Sequence, residues 1–106
     1  MKVSTITLIG SSIRNGRIYF PISDVKFFPT DSLSDREGDG HKGVPVVFSA
    51  GDFVFEGIIR VSSSTQLSPE RSFAKFFKAV GAREGDALRV ERIGDRQYTV
   101  SHIRMA

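Results

Sequence analysis

The sequence has no cysteine, no tryptophan and only two histidines. Without cysteine the chain can form no disulfide, thiol nucleophile or cysteine-ligated zinc site. It also lacks any apolar run near the roughly 20 residues that a helix needs to span a bilayer. At the N-terminus, a single lysine is followed by threonines that alternate with isoleucine and leucine, which is typical of a strand and not of a signal peptide. These absences predict a cytoplasmic protein that does not bind membranes.

The hydrophobic residues are numerous enough to form a core. They make up 40% of the 106 residues and include nine phenylalanines, which predicts one domain spanning residues 1–106. The formal net charge of +3 is only mildly basic. The positions of the arginines therefore say more about a polyanionic partner than their number does.

The strongest helix signal is an apolar stripe in the second half of the chain. Residues spaced i, i+3, i+4 and i+7 form it: Phe73, Phe76, Phe77 and Val80. Ser68 is expected to cap the N-terminus of this helix, with Pro69 at its first position. Gly81 is expected to end the helix in a left-handed conformation.

Short runs of apolar residues, several of them alternating with polar ones, predict strands around this helix. They cover residues 4–9, 17–20, 44–48, 53–61, 88–93 and 97–103. Asn15-Gly16 predicts a turn between the first two strands, and Gly57 predicts a bend inside the fourth. A short helix capped by Ser23 or Asp24 is also expected. Six or seven strands with frequent turns indicate a β-sandwich or barrel whose open ends the two helices close.

No group of residues indicates catalysis, so we expect a non-catalytic protein without a cofactor. The serines have no plausible base beside them, and no two carboxylates are placed for acid–base chemistry. His41 lies in a polar loop. His102 lies near the end of a strand, where we expect it to have a hydrogen-bonding partner and no catalytic role.

An acidic loop partly matches a calcium site. Asp35, Glu37 and Asp39 occupy the first, third and fifth positions of a calcium-binding loop. Such a loop needs a bidentate glutamate at its twelfth position, where this chain has Val46. We therefore expect a solvated loop and no metal, and an enzyme that uses these carboxylates is the weakest alternative.

Two polar segments are better candidates for a binding surface. Arg14, Asn15 and Arg17 surround the first turn, and Arg60 precedes a polar run that comprises Ser62, Ser63, Ser64, Thr65 and Gln66. Arginine and asparagine make bidentate contacts to guanine and adenine edges, and hydroxyls suit phosphate oxygens. Arg71 and Lys75 lie off the apolar stripe. From these residues alone, ordinary solvated loops remain an equal alternative.

Two sequence motifs occur along the chain in a distinctive order. The first is RIYFP followed by a short helix, and the second is F-x-x-F-F ahead of G-x-x-x-GD, here Phe73, Phe76, Phe77 and the segment 81–86. Their order resembles the DNA-binding pseudobarrel superfamily, which includes the auxin-response-factor type of plant DNA-binding domain and the effector domains of certain restriction endonucleases. The chain is also similar to small bacterial domains found beside nuclease or methyltransferase modules. It differs from the plant pattern because Arg71-Ser72 replace a Gly-Trp pair before the helix.

The resemblance implies a fold and a function. The fold is mainly β, an open seven-stranded pseudobarrel of mixed, mostly antiparallel strands with two short helices capping its ends. The function is binding of double-stranded DNA by two segments that enter the major groove, the N-arm (residues 11–17) and the C-arm (residues 60–66). Association with a restriction or modification system is a further implication. The alternative is a protein–protein interaction module that binds a nuclease or methyltransferase partner.

Overall fold

Nine strands, two α-helices and two 3₁₀ helices form the described part of the chain, residues 2–34, 43–61 and 65–105 of a computed structural model. The strands are β1 (Val3–Thr7), β2 (Phe20–Pro21), β3 (Leu33–Ser34), β4 (Val46–Ala50), β5 (Phe53–Gly57), β6 (Ile59–Val61), β7 (Gln66–Pro69), β8 (Ala87–Arg92) and β9 (Gln97–Ile103). The helices are α1 (Gly10–Asn15) and α2 (Ala74–Val80), with 3₁₀ helices at Ile22–Phe27 and Thr30–Ser32. No helix within these ranges is long and apolar enough to cross a membrane.

The strands of the described ranges form two mixed sheets, and neither sheet closes into a barrel. One sheet has the order β1-β8-β9-β4-β5 and the other the order β2-β7-β6-β3. Among the described strands, only the pairs β4–β9 and β3–β6 are parallel, which confirms the expectation of a mixed, mostly antiparallel and open β fold. The expected count of seven strands is not confirmed, because the described residues form nine: β3 and β7 were not predicted, and the run 53–61 divides into two strands.

Gly57 marks the point where the chain leaves the first sheet. β5 ends there, and β6 begins two residues later in the second sheet. A Cβ atom at Gly57 would lie 3.3 Å from the carbonyl oxygen of Glu70, so the bend brings two backbone segments close together. The bend that the sequence predicts at this glycine is confirmed.

The core between the sheets is largely aromatic. The Phe73 ring lies 5.7 Å from that of Phe48 and 4.4 Å from that of Phe55, and Phe48 stacks on Tyr98 at 5.2 Å. The Tyr98 hydroxyl donates to the carbonyl oxygen of Phe27 at 2.6 Å. Burial raises the pKa of Tyr98 to about 12, so the hydroxyl stays protonated and keeps this hydrogen bond.

Ser68 does not cap α2, and Pro69 is not the first residue of that helix. Both belong to β7, between β2 and β6, and the buried Ser68 hydroxyl donates to the carbonyl oxygen of Ile18 at 2.9 Å. The helix begins at Ala74, whose N–H donates to the Ser72 hydroxyl at 3.2 Å. Its end is as predicted, because Gly81 is left-handed with φ of 66°.

The segment after β1 is a helix and not a turn between two strands. Its N-terminal turn is held by the Ile9 N–H, which donates to the Ser12 hydroxyl at 3.2 Å. Gly16 follows the helix with φ of 64°, so Asn15-Gly16 supplies the predicted positive φ but uses it to end α1. A Cβ atom at Gly16 would lie 2.8 Å from the Ser72 hydroxyl. The C-terminal end of α1 therefore packs directly against the segment that precedes α2.

The predicted short helix before Pro29 is present as the 3₁₀ helix Ile22–Phe27. Its N-cap is Pro21, so neither Ser23 nor Asp24 caps it. Asp24 is instead buried and accepts a hydrogen bond of 2.6 Å from the Ser4 hydroxyl. This contact ties the helix to β1 of the other sheet.

Candidate nucleic-acid interface

The N-arm is built around α1. Arg14 and Asn15 are exposed at its last turn, and Arg17 is half-buried just beyond it. Backbone hydrogen bonds hold both ends of this segment: the Leu8 N–H donates to Asp86 at 2.8 Å, and the Phe73 N–H donates to Gly16 at 2.7 Å. The three polar side chains therefore project from a short element whose base is fixed.

The C-arm is the hairpin that joins β6 and β7. Arg60 lies in β6 with its side chain about half exposed, at 51%. Thr65 is exposed, and its carbonyl oxygen accepts a hydrogen bond of 2.9 Å from the Ile22 N–H. Gln66 begins β7 opposite Pro21. Ser62, Ser63 and Ser64 lie outside the described residues.

Residues of both arms line a groove of about 390 Å³. They are Ser12 of the N-arm and Thr65 and Gln66 of the C-arm. Thr7 and Tyr19 also line the groove, and sequence reasoning missed both. The alternation in β1 shows that Thr7 is on the polar face, but not that this face adjoins the arms.

Arg71 and Lys75 form a basic cluster at the start of α2. Arg71 precedes the helix, and Lys75 lies in its first turn. Together with Ser72 and the ring of Phe55 they line a smaller cavity of about 210 Å³. Ser72 also adjoins the C-terminal end of α1, where it faces Gly16. The two exposed cations of this cluster therefore lie next to the N-arm.

Most cations of the arms and of the basic cluster are unneutralised. Within residues 2–34, 43–61 and 65–105, only Arg60 of this set makes an ion pair, with Glu70 at 3.6 Å. The other pairs formed by arginines, Arg89–Glu91 and Arg96–Asp31, involve residues of neither arm. Exposed, unpaired positive charges on the arms and on this cluster are the electrostatic feature that suits a polyanion.

A buried acid–base pair stabilises the base of the N-arm. His102 Nε2 lies 2.8 Å from Asp86 Oδ2, and the carboxylate also accepts from the N–H groups of Arg83 and Met105 at 3.1 and 3.2 Å. These interactions lower the pKa of Asp86 to about 2. The hydrogen bond from His102 has the largest effect, burial opposes it, and the two N–H groups lower the pKa further. His102 thus has the hydrogen-bonding partner expected of it.

We expect Asp86 to make stability depend on pH in the acid range. Because its folded pKa is depressed, its contribution is complete above the unfolded value near 3.8 and is lost as pH falls towards about 2. The melting temperature of the parent chain should therefore drop over this range, and Asp86→Asn should show a shallower drop. Asp52→Asn, at an exposed turn, is the matched control. Parallel curves for Asp86→Asn and the parent would contradict the prediction.

No group of three or more histidine, aspartate or glutamate side chains among the described residues is arranged to bind a metal ion. Asp35, Glu37, Asp39 and His41 lie outside the described residues.

Comparison with known proteins shows the fold. The sequence matches no protein-family model and no curated protein. The structure is similar to the Arabidopsis FUS3–DNA complex, with a TM-score of 0.69 and 16% identity over 97% of each chain. It is also similar to the N-terminal domain of Helicobacter pylori LlaJI.R1, with a TM-score of 0.66 and 18% identity over 100% of this chain and 90% of that one. The chain therefore shares the fold of these two domains.

Proposed function

We propose that this chain is a single, non-catalytic domain that binds double-stranded DNA. The observation that carries the proposal is the groove that residues of both arms line, in arms that also carry the exposed arginines Arg14 and Arg60. One protein of the same fold, Arabidopsis FUS3, was solved as a complex with DNA, which supports DNA as the partner. A cytoplasmic location stays a prediction of the sequence.

Each arm, and the basic cluster of Arg71 and Lys75, has a proposed role in binding DNA. Arg14, Asn15 and Arg17 contact base edges or the backbone from the N-arm, because their side chains suit purine edges in the major groove. Arg60 does so from the C-arm, with the hydroxyls and amide of the segment 62–66. Arg71 and Lys75 contact phosphates on the flank, where positive charge positions a protein without reading sequence.

Binding should weaken steeply with salt. If about five phosphates are neutralised, log K should fall with log salt at a slope of roughly −4 to −5. Fluorescence anisotropy with a labelled random-sequence duplex of about 20 base pairs, between about 50 and 300 mM salt, measures the slope. A flat salt dependence, or no binding, would contradict the proposal. Selection from random duplexes then identifies the preferred target.

A second proposal concerns the cellular partner. We propose that the domain acts beside a nuclease or methyltransferase, as part of a restriction or modification system, because its motifs resemble domains found in that setting. If it is instead a protein-interaction module, its association with a partner should be insensitive to salt. Gel filtration at low and high salt, with and without duplex DNA, separates the two functions.

A further inference from the structure

One arginine of the C-arm is already engaged by a carboxylate. Arg60 Nη1 lies 3.6 Å from Glu70 Oε1, and the two side chains are 51% and 37% exposed. Glu70 follows β7, and its N–H donates to the Ile58 carbonyl oxygen at 2.8 Å. This hydrogen bond places Glu70 beside the start of β6, next to the strand that carries Arg60.

The N-arm also has a carboxylate near one of its arginines, although the two do not form an ion pair. An ideal Cβ atom at Gly10 would lie 3.1 Å from Arg14 Nη1 and 3.1 Å from Glu84 Oε1. The guanidinium and the carboxylate therefore border the same space beside Gly10, which has no side chain to fill it. Glu84 comes from the loop between α2 and β8, and the adjacent Gly85 N–H donates to Leu8 at 2.8 Å, which fixes that loop against the base of the arm.

Neither interaction is strong enough to exclude DNA. The exposed Arg60–Glu70 ion pair contributes at most about 1 kcal/mol, because water and salt screen it, and Glu84 acts on Arg14 without a direct ion pair. A phosphate that approaches either arm must still compete with the carboxylate for the arginine, and it is also repelled by the carboxylate's own charge. Each glutamate therefore opposes binding of any duplex, whatever its sequence.

We propose that Glu70 and Glu84 lower the affinity of the two arms for DNA, Glu70 by its ion pair with Arg60 and Glu84 by its negative charge near Arg14, so that a DNA phosphate must compete with a carboxylate at each arm. The inference rests on the proposed function and adds two residues to the site. Its consequence is a protein whose non-specific affinity is lower than its exposed arginines alone would produce. Neither glutamate is identified by its sequence position, since each is separated from its arginine by many residues.

Isosteric neutral variants test the inference. Glu70→Gln and Glu84→Gln should each bind a labelled random-sequence duplex about two- to fivefold more tightly than the parent at about 50 mM salt, with the gain in affinity shrinking as salt rises. Asp31→Asn is the matched control, because it changes net charge equally and releases Arg96, which belongs to neither arm. Affinities that equal the parent's, or gains no larger than that of Asp31→Asn, would overturn the inference.

A double-mutant cycle assigns the effect to the arginine. Arg83 and Arg104 line the same cavity as Glu84, so Glu84→Gln is also made in an Arg14→Ala background. There its gain in affinity should fall to that of the Asp31→Asn control. An undiminished gain in affinity would show that Glu84 does not act through Arg14, and would overturn the N-arm half of the inference.

The same cycle with Glu70→Gln and Arg60→Ala tests the C-arm half.

Binding of duplex by the parent chain distinguishes a failure of this inference from a failure of the proposed function. If the parent binds duplex in a salt-dependent way and the variants match the controls, only the inference fails. If the parent does not bind duplex at all, the proposed function and the inference fail together.

Discussion

Replacing Phe73 by alanine is expected to destabilise the domain by roughly 3–5 kcal/mol. The side chain is completely buried, and its ring contacts Phe48 and Phe55 between the two sheets. Removing the ring leaves a cavity, and the surrounding strands cannot move to fill it because hydrogen bonds within their sheet hold them in place. For a domain of this size, the destabilisation should lower the melting temperature by about 15 °C or more.

Val54→Ala is the matched control for this prediction. Val54 lies in the neighbouring strand β5 but is 66% exposed, so its truncation should change stability by less than about 0.5 kcal/mol. Thermal unfolding followed by circular dichroism measures both variants. Equal melting temperatures for Phe73→Ala and the parent would mean that the aromatic cluster is not the core of the fold.

Replacing Arg14, Arg17 and Arg60 together by alanine should weaken DNA binding by roughly 100-fold or more. Each good hydrogen-bonding interaction of an arginine with a base edge or phosphate contributes about 1–3 kcal/mol, and the three residues cover both arms. The slope of log K against log salt should also become shallower, by about 0.9 for each phosphate that is no longer neutralised. Anisotropy titrations of the selected duplex measure both quantities.

A variant with the same change in net charge controls for long-range electrostatics. Lys2, Lys26 and Arg96 lie outside both arms, and replacing them by alanine should weaken binding by less than about tenfold. Melting temperatures close to the parent's show that each variant is folded. Equal reductions in affinity for the two triple variants would contradict the arms as the contact surface and would indicate attraction by net charge alone.

Several elements follow from interactions between residues close in the chain. The alternation in β1, the apolar stripe of α2 and the hairpin of β8 and β9 are each specified within a few positions. Gly81 ends its helix because a left-handed conformation there costs glycine little. In each of these cases the local preference agrees with the tertiary contacts, so the prediction from sequence was correct.

The start of α2 shows where local preference was overruled. Ser68 and Pro69 form a good capping sequence, but a cap contributes only about 1 kcal/mol. Pairing the segment Gln66–Pro69 on both sides, with β2 and β6, and burying Leu67 and Ser68 stabilises it more. The strand therefore forms, and the helix starts five residues later than its capping signal predicts.

The candidate site, like the fold, was predictable from sequence only in part. The residue types of the arms, with their arginines and hydroxyls, were sufficient to predict two candidate segments for binding a polyanion. Their arrangement depends on contacts between distant segments: Ser12 and Gln66 line one groove, Glu70 pairs with Arg60, and Glu84 lies near Arg14 beside Gly10. Residue chemistry is encoded locally, whereas the distances between charges are set by how the two sheets pack, so only the folded chain places the carboxylates beside the arginines.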